Sequence, residues 1–141
     1  MSRIHAGAVV TGAGRGLGKT IAALLVECGY QVLVTDVDPA TAQDTADELG
    51  GGTTALAVDV RDHTQVEAAR DAIVERAGRL DVWVNNAGVL LTGPAWEQDE
   101  VARRSIIEVN ALGAINGTVA AIEQCEATAA VTSSTSCRSP A

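Results

Sequence analysis

At 141 residues, 47% of them hydrophobic, the chain is long enough for one packed domain. A formal charge of −8 and an aromatic content of 2% exclude a polyanion-binding surface and a base-stacking platform. Cys28, Cys125 and Cys137 have neither metal-ligand spacing nor a disulfide framework, His5 and His63 stand alone, and no metal site is expected.

The elements follow in chain order. Ala8–Thr11 is a short apolar and β-branched run that reads as a first strand. Leu17, Ile21, Leu24, Leu25 and Cys28 then share one helical stripe, predicting a first helix with Cys28 as a buried, inert thiol. Gln31–Thr35 is the second strand. Pro39 after Asp38 opens a second helix that ends at Gly50–Gly52. Thr54–Val58 is the third strand, and Asp62 caps a third helix with Val66, Ala69 and Ile73 inward and a stop near Gly78. Asp81–Asn85 is the fourth strand. A fourth helix from Asp99 to about Ile122 carries Val101, Ile106, Val109 and Leu112 on one face. Continuous apolar strands suit a parallel sheet covered on both faces. The βαβαβαβα order therefore predicts an α/β fold, a doubly wound parallel sheet with helices on both faces. There is no apolar signal core, and no run approaches the roughly 18 apolar residues of a membrane span, so a cytoplasmic protein touching neither membrane nor nucleic acid is expected.

Between the first strand and the first helix lies Thr11-Gly12-Ala13-Gly14-Arg15-Gly16-Leu17-Gly18. Gly12 allows a tight turn, Gly16 lets backbone approach a pyrophosphate, and Gly18 lets helix and strand pack closely, with the anion at the helix N-terminus. Leu17 stands where a G-x-G-x-x-G pattern needs its third glycine; the spacing met is T-G-x-x-x-G-x-G. This spacing resembles that of the classical short-chain dehydrogenase/reductase family. Three further segments agree in order: Asp36 ending the second strand, Asp59-Val60 after the third, and Asn85-Asn86-Ala87-Gly88 ending the fourth. The resemblance covers about residues 4–124 and implies a Rossmann-type domain over 1–124, followed by an atypical tail over 125–141. It implies that Gly12, Arg15, Gly16, Leu17 and Gly18 surround a dinucleotide pyrophosphate, that Asp36 accepts hydrogen bonds from the adenosine ribose, and that Asp59 and Val60 hold the adenine. Asn86, Ala87 and Gly88 complete the cofactor-binding set. A carboxylate at position 36 repels a 2′-phosphate, so NAD is expected over NADP, with Arg15 as the counterweight.

The resemblance also implies hydride transfer between an alcohol or carbonyl substrate and a nicotinamide, with Asn110 supporting a proton-relay water. The family's Tyr-x-x-x-Lys pair has no counterpart, since the one tyrosine is Tyr30 and the one lysine is Lys19. Ser133-Ser134 resemble the family's serine strand only loosely. Read through permissible codons after one deleted base in a CAG-ATG junction, Cys125–Ala141 becomes a family-like loop, strand and serine, the serine falling at the position of Arg138. The expectation is a chain truncated or frameshifted after about residue 124 and catalytically incomplete. Its fourth strand would be an exposed apolar edge that favours self-association. A non-catalytic NAD-binding module, a methyltransferase and a scaffold without ligand remain as alternatives.

Overall fold

The computed structural model describes residues 5–131. Four parallel strands, β1 (Gly7–Val10), β2 (Gln31–Asp36), β3 (Thr54–Ala57) and β4 (Val82–Val84), lie in the order β3-β2-β1-β4. Val9 pairs with Leu33 on one side and Trp83 on the other. Helices α1 (Gly16–Glu27), α2 (Pro39–Leu49) and α3 (His63–Ala77) make the connections; α4 (Glu100–Ile106) and α5 (Gly113–Val131) follow β4. The doubly wound parallel sheet is as expected, and every strand end falls within one residue of its expected position.

Alternation along β1 divides the core into two layers. Val9 faces Leu33, Val66, Ala69, Ile73 and Ala120, on the side of α3 and α5. Ala8 and Val10 face Ala22, Val32, Val34 and Ala42, on the side of α1 and α2. Both faces of β1 are therefore dry, which is why its sequence is continuously apolar.

Two expected helix faces need correction. In α1 the buried residues are Gly18 and Ala22, while Leu17 is 69% exposed, Leu24 is 56% exposed, and Cys28, at the C-cap, is exposed rather than buried. Small residues let α1 approach the β1 turn closely, so that seam faces inward, and Ile21 and Leu25 are only partly covered. The fourth helix is three pieces: α4, a π-helical turn over Ile107–Leu112, and α5. Ile106 and Val109 are half-buried as expected, but Val101 and Leu112 are exposed. The inward face continues instead through Gly113, Asn116, Gly117 and Ala120. Bulk is excluded there, since a Cβ at Gly117 would lie 2.4 Å from the Trp83 indole nitrogen.

The helical stretch Glu100–Thr128 is also long and apolar enough to cross a membrane by length and composition, with a window of mean hydropathy 1.4. The expectation that no such run exists does not hold, although this stretch contributes Ala120 to the core. Ser133, Ser134, Cys137 and Arg138 lie outside the described residues.

Candidate functional site

All four strands direct their C-terminal ends to one edge of the sheet, and the expected site residues gather there. Thr11, 2% exposed, ties the first and fourth turns together. Its Oγ1 accepts from the amides of Asn86 (3.0 Å) and Ala87 (3.1 Å) and donates to the Val84 carbonyl (3.3 Å). Asn86 returns the link, its Nδ2 donating to the Thr11 and Gly12 carbonyls, both at 3.1 Å. The side chain of Asn86 is thus committed to backbone. Gly18 is held against this knot, because a Cβ there would stand 2.4 Å from Asn86 Nδ2 and 2.5 Å from the Gly12 oxygen.

Gly16 differs from its neighbours. It has φ +59° and nothing within 4 Å of where a Cβ would be, so its backbone opens onto free space at the start of α1. Arg15, the N-cap residue, is extended and provides no side-chain cap, and the first turn has no acidic residue. The next three helices are built otherwise. Asp38 caps α2 by accepting from Ala40 (3.0 Å) and Thr41 (3.4 Å), Asp62 caps α3 through Thr64 (3.0 Å) and Gln65 (3.4 Å), and Asp99 caps α4 through Ala102 (2.7 Å).

Asp36 reaches the glycine turn directly. Its Oδ2 accepts from the Gly14 amide at 3.1 Å and its Oδ1 from the Asp38 amide at 3.1 Å. Gly14, to which the motif spacing gives no role, is fixed on both sides: Thr45 Oγ1 donates to its carbonyl at 2.8 Å, and a Cβ would meet Thr41 Cγ2 at 2.6 Å. Thr11 and Gly14 both lie within the eight-residue motif, so the motif itself carries the signal for them.

Electrostatics sharpen two carboxylates. The Thr41 hydroxyl, with the Thr41 and Ala40 amides, holds Asp38 below the ordinary carboxylate value. Arg61 does the same for Asp59 through Nε (3.0 Å) and Nη2 (2.7 Å), and also lies 3.8 Å from Glu108 across the crevice. Beside Asp59, Val60 is buried, and its carbonyl accepts from Asn116 Nδ2 at 2.9 Å.

Asn110 sits in the π-helical turn, the kind of local widening that helices use to re-aim a residue. Its Oδ1 accepts from the Val89 amide (2.8 Å) and its Nδ2 donates to the Val89 carbonyl (2.9 Å), a two-point clamp on the chain leaving Gly88. Tyr30 precedes β2 at the opposite edge of the sheet, and Lys19 is tied to Glu48 of α2. Contrary to expectation His63 has a partner, Glu67, at 3.6 Å. Glu123 completes a three-residue group there, but Arg70 already bridges Glu123 (3.0 Å) and Glu67 (3.9 Å).

Comparison with known proteins gives a consistent result. The family described as short chain dehydrogenase matches residues 6–140. Oxidoreductase UcpA of Salmonella typhimurium is 37% identical over 120 residues, covering 83% of this chain and 45% of the relative. The 3-oxoacyl-[acyl-carrier-protein] reductase FabG of Vibrio cholerae is 38% identical over 103 residues, covering 73% of this chain and 42% of the relative. Among solved structures, a short chain dehydrogenase/reductase from Burkholderia phymatum in complex with NAD superposes with a TM-score of 0.81 at 30% identity, covering 88% of this chain and 46% of that one. A 3-ketoacyl-(acyl-carrier-protein) reductase from Brucella melitensis complexed with NADH gives 0.83 at 31% identity, covering 89% and 52%. The chain thus spans about half the length of the relatives it matches.

Proposed function

We infer the function from one premise: the chain belongs to the short chain dehydrogenase family. On that premise these residues are the dinucleotide-holding part of an oxidoreductase working in the cytoplasm, a Rossmann-type domain over 1–124 whose last helix, α5, runs on to Val131 into the atypical tail over 125–141. The observation that carries the reading is the first turn of α1, left without a side-chain cap while α2, α3 and α4 each have an aspartate. Unpaired amides at a helix start attract an anion, and the open space over Gly16 lets a pyrophosphate reach them.

The other roles follow from placement. Gly12 and Gly18 let the turn close, and Arg15 and Leu17 flank the phosphate path. Asp36 accepts the adenosine ribose hydroxyls and repels a 2′-phosphate, which favours NAD over NADP; the exposed Arg15 is the opposing influence. Asp59 and Val60 receive the adenine, while Asn86, Ala87 and Gly88 form the wall that leads to the nicotinamide end. When bound, the nicotinamide supplies the hydride chemistry for an alcohol or carbonyl substrate. Asn110 holds Val89 and so fixes the shape of that end. Neither Tyr30 nor Lys19 reaches the crevice, so the 141 residues bind cofactor without a tyrosine–lysine acid/base pair in it.

Calorimetric titration of the chain with NAD tests the reading. Saturable binding that Gly16→Asp abolishes is expected, with no turnover of any alcohol or carbonyl above the Gly16→Asp control. S-adenosylmethionine bound in preference to NAD would instead favour a methyltransferase, and a crevice empty at saturating NAD would overturn the proposal. Self-association belongs to the same proposal. Leu112, at the end of the π-helical turn, and Ile115, Val119 and Ile122 of α5 are exposed, and β4 is the outer strand on that side of the sheet. A second copy covering them gives a dimer or larger species in light scattering; a monodisperse monomer would refute it.

A further inference from the structure

We propose that Asn116 is a positioning residue for the base-reading end of the crevice, acting through the Val60 carbonyl; the proposal rests on the dinucleotide reading above. Asn116 is 8% exposed, on a helix face otherwise made of Gly113, Gly117 and Ala120. An amide in that position costs free energy unless it is paired, and its Nδ2 meets the Val60 oxygen at 2.9 Å. One turn earlier Gly113 receives the Val60 side chain, since a Cβ at 113 would lie 2.5 Å from Val60 Cγ2. Two points of α5 therefore grip one residue, by side chain and by carbonyl, and together fix the orientation of its backbone.

The consequence lies on the other side of Val60. No acceptor among the described residues meets the Val60 amide, and the Asp59 carboxylate beside it is held ionised by Arg61. A backbone donor next to a carboxylate acceptor complements a base edge with a ring-nitrogen acceptor next to an amino donor. Adenine has that edge. Hypoxanthine has the reverse, a ring N–H next to a carbonyl oxygen. Base discrimination then depends on how steadily Val60 is oriented. Without Asn116 its carbonyl loses its partner, and the backbone is free to rotate toward water.

The experiment uses the full chain and two dinucleotides, NAD and its hypoxanthine analogue, titrated by calorimetry. The wild-type chain is expected to prefer NAD by about tenfold or more, the usual reward for a matched two-point contact. Asn116→Leu fills a similar volume without a donor, and Asn116→Ala removes both. In each the NAD-to-analogue ratio falls toward one, even where Asn116→Leu unfolds at the wild-type temperature. Variants that weaken both ligands equally and keep the ratio would overturn the proposal, because a merely structural residue would behave that way. A wild-type chain that binds the two alike would overturn it too, leaving the dinucleotide reading intact. Binding of neither would overturn that reading and this proposal with it.

Discussion

Thr11→Val removes one oxygen from the centre of the site and little else, because valine keeps the threonine shape. The oxygen makes three hydrogen bonds, accepting from the amides of Asn86 (3.0 Å) and Ala87 (3.1 Å) and donating to the Val84 carbonyl (3.3 Å). Losing the donated bond is the smallest effect, since the Val84 carbonyl also accepts from the Thr11 amide at 3.0 Å. The two orphaned amides dominate, each costing about 1–3 kcal/mol when left unpaired. Both residues are half-buried, so water offsets part of that cost, and a loss of about 2–4 kcal/mol is expected. Against a domain stability of about 5–15 kcal/mol this is a large effect. Urea unfolding followed by circular dichroism measures it, with an unchanged slope showing that stability alone has moved. Thr11→Ser keeps the oxygen, loses one methyl, and costs about 1 kcal/mol. A Thr11→Val chain within about 1 kcal/mol of wild type, or Thr11→Ser as damaging as Thr11→Val, would refute the reasoning.

Two glycine substitutions separate fold from function: Gly18→Ala meets Asn86 Nδ2 at 2.4 Å and lowers stability by about 1–3 kcal/mol, whereas Gly16→Ala meets nothing, strains φ at about 1–2 kcal/mol, and blocks the phosphate approach. Thermal melts with and without NAD check this, and the idea fails if Gly16→Ala keeps the ligand-induced rise in midpoint. Arg15→Asp supplies the missing cap of α1, so a gain of about 0.5–2 kcal/mol is expected together with loss of NAD binding, since the new carboxylate takes the amides and repels phosphate; undiminished binding in titration would contradict it. For pH, Asp38 and Asp59 are both held below the ordinary carboxylate value, so the stability they contribute is present above the unfolded pKa of about 3.9 and is lost as pH falls through the folded value. Melting midpoints should be flat between about pH 7 and 5 and drop below about pH 4, and a decline already complete at pH 5 would exclude these two groups as the cause.

The strands and the glycine turn were legible because each depends on a residue type at a fixed place. Continuous apolar runs marked β1 to β4, and Asp38 and Asp62 marked helix starts by the acceptor chemistry that they perform. In the fourth helix bulk and inwardness part company. Its core-facing side is Gly113, Asn116, Gly117 and Ala120, set by closeness to Val60, Trp83 and Asn85 rather than by hydrophobic area, so the bulky Val101 and Leu112 face out. Cys28 failed for the same reason, with Gly18 and Ala22 setting the inward face of α1. Periodicity finds faces that bury area; it does not find faces that bury backbone.

That distinction also explains why neutral side chains knit the backbone segments of the site together in so acidic a chain. Thr11, Asn86, Asn110 and Asn116 spend their hydrogen bonds on carbonyls and amides of neighbouring segments, fixing four backbone stretches against one another. Neutral amides and hydroxyls can do this half-buried at modest desolvation cost, which lysine or arginine could not. On the proposed reading, an anion repelled by a net charge of −8 at long range meets the α1 N–H dipoles and Arg15 at close range, and the dipole attraction falls off within a turn of helix rather than over a Debye length. On the proposed reading, affinity for a dinucleotide depends on how rigidly the α1 amides are presented, so Thr11→Val is expected to weaken NAD binding in titration through the loosened Asn86 and Ala87 amides.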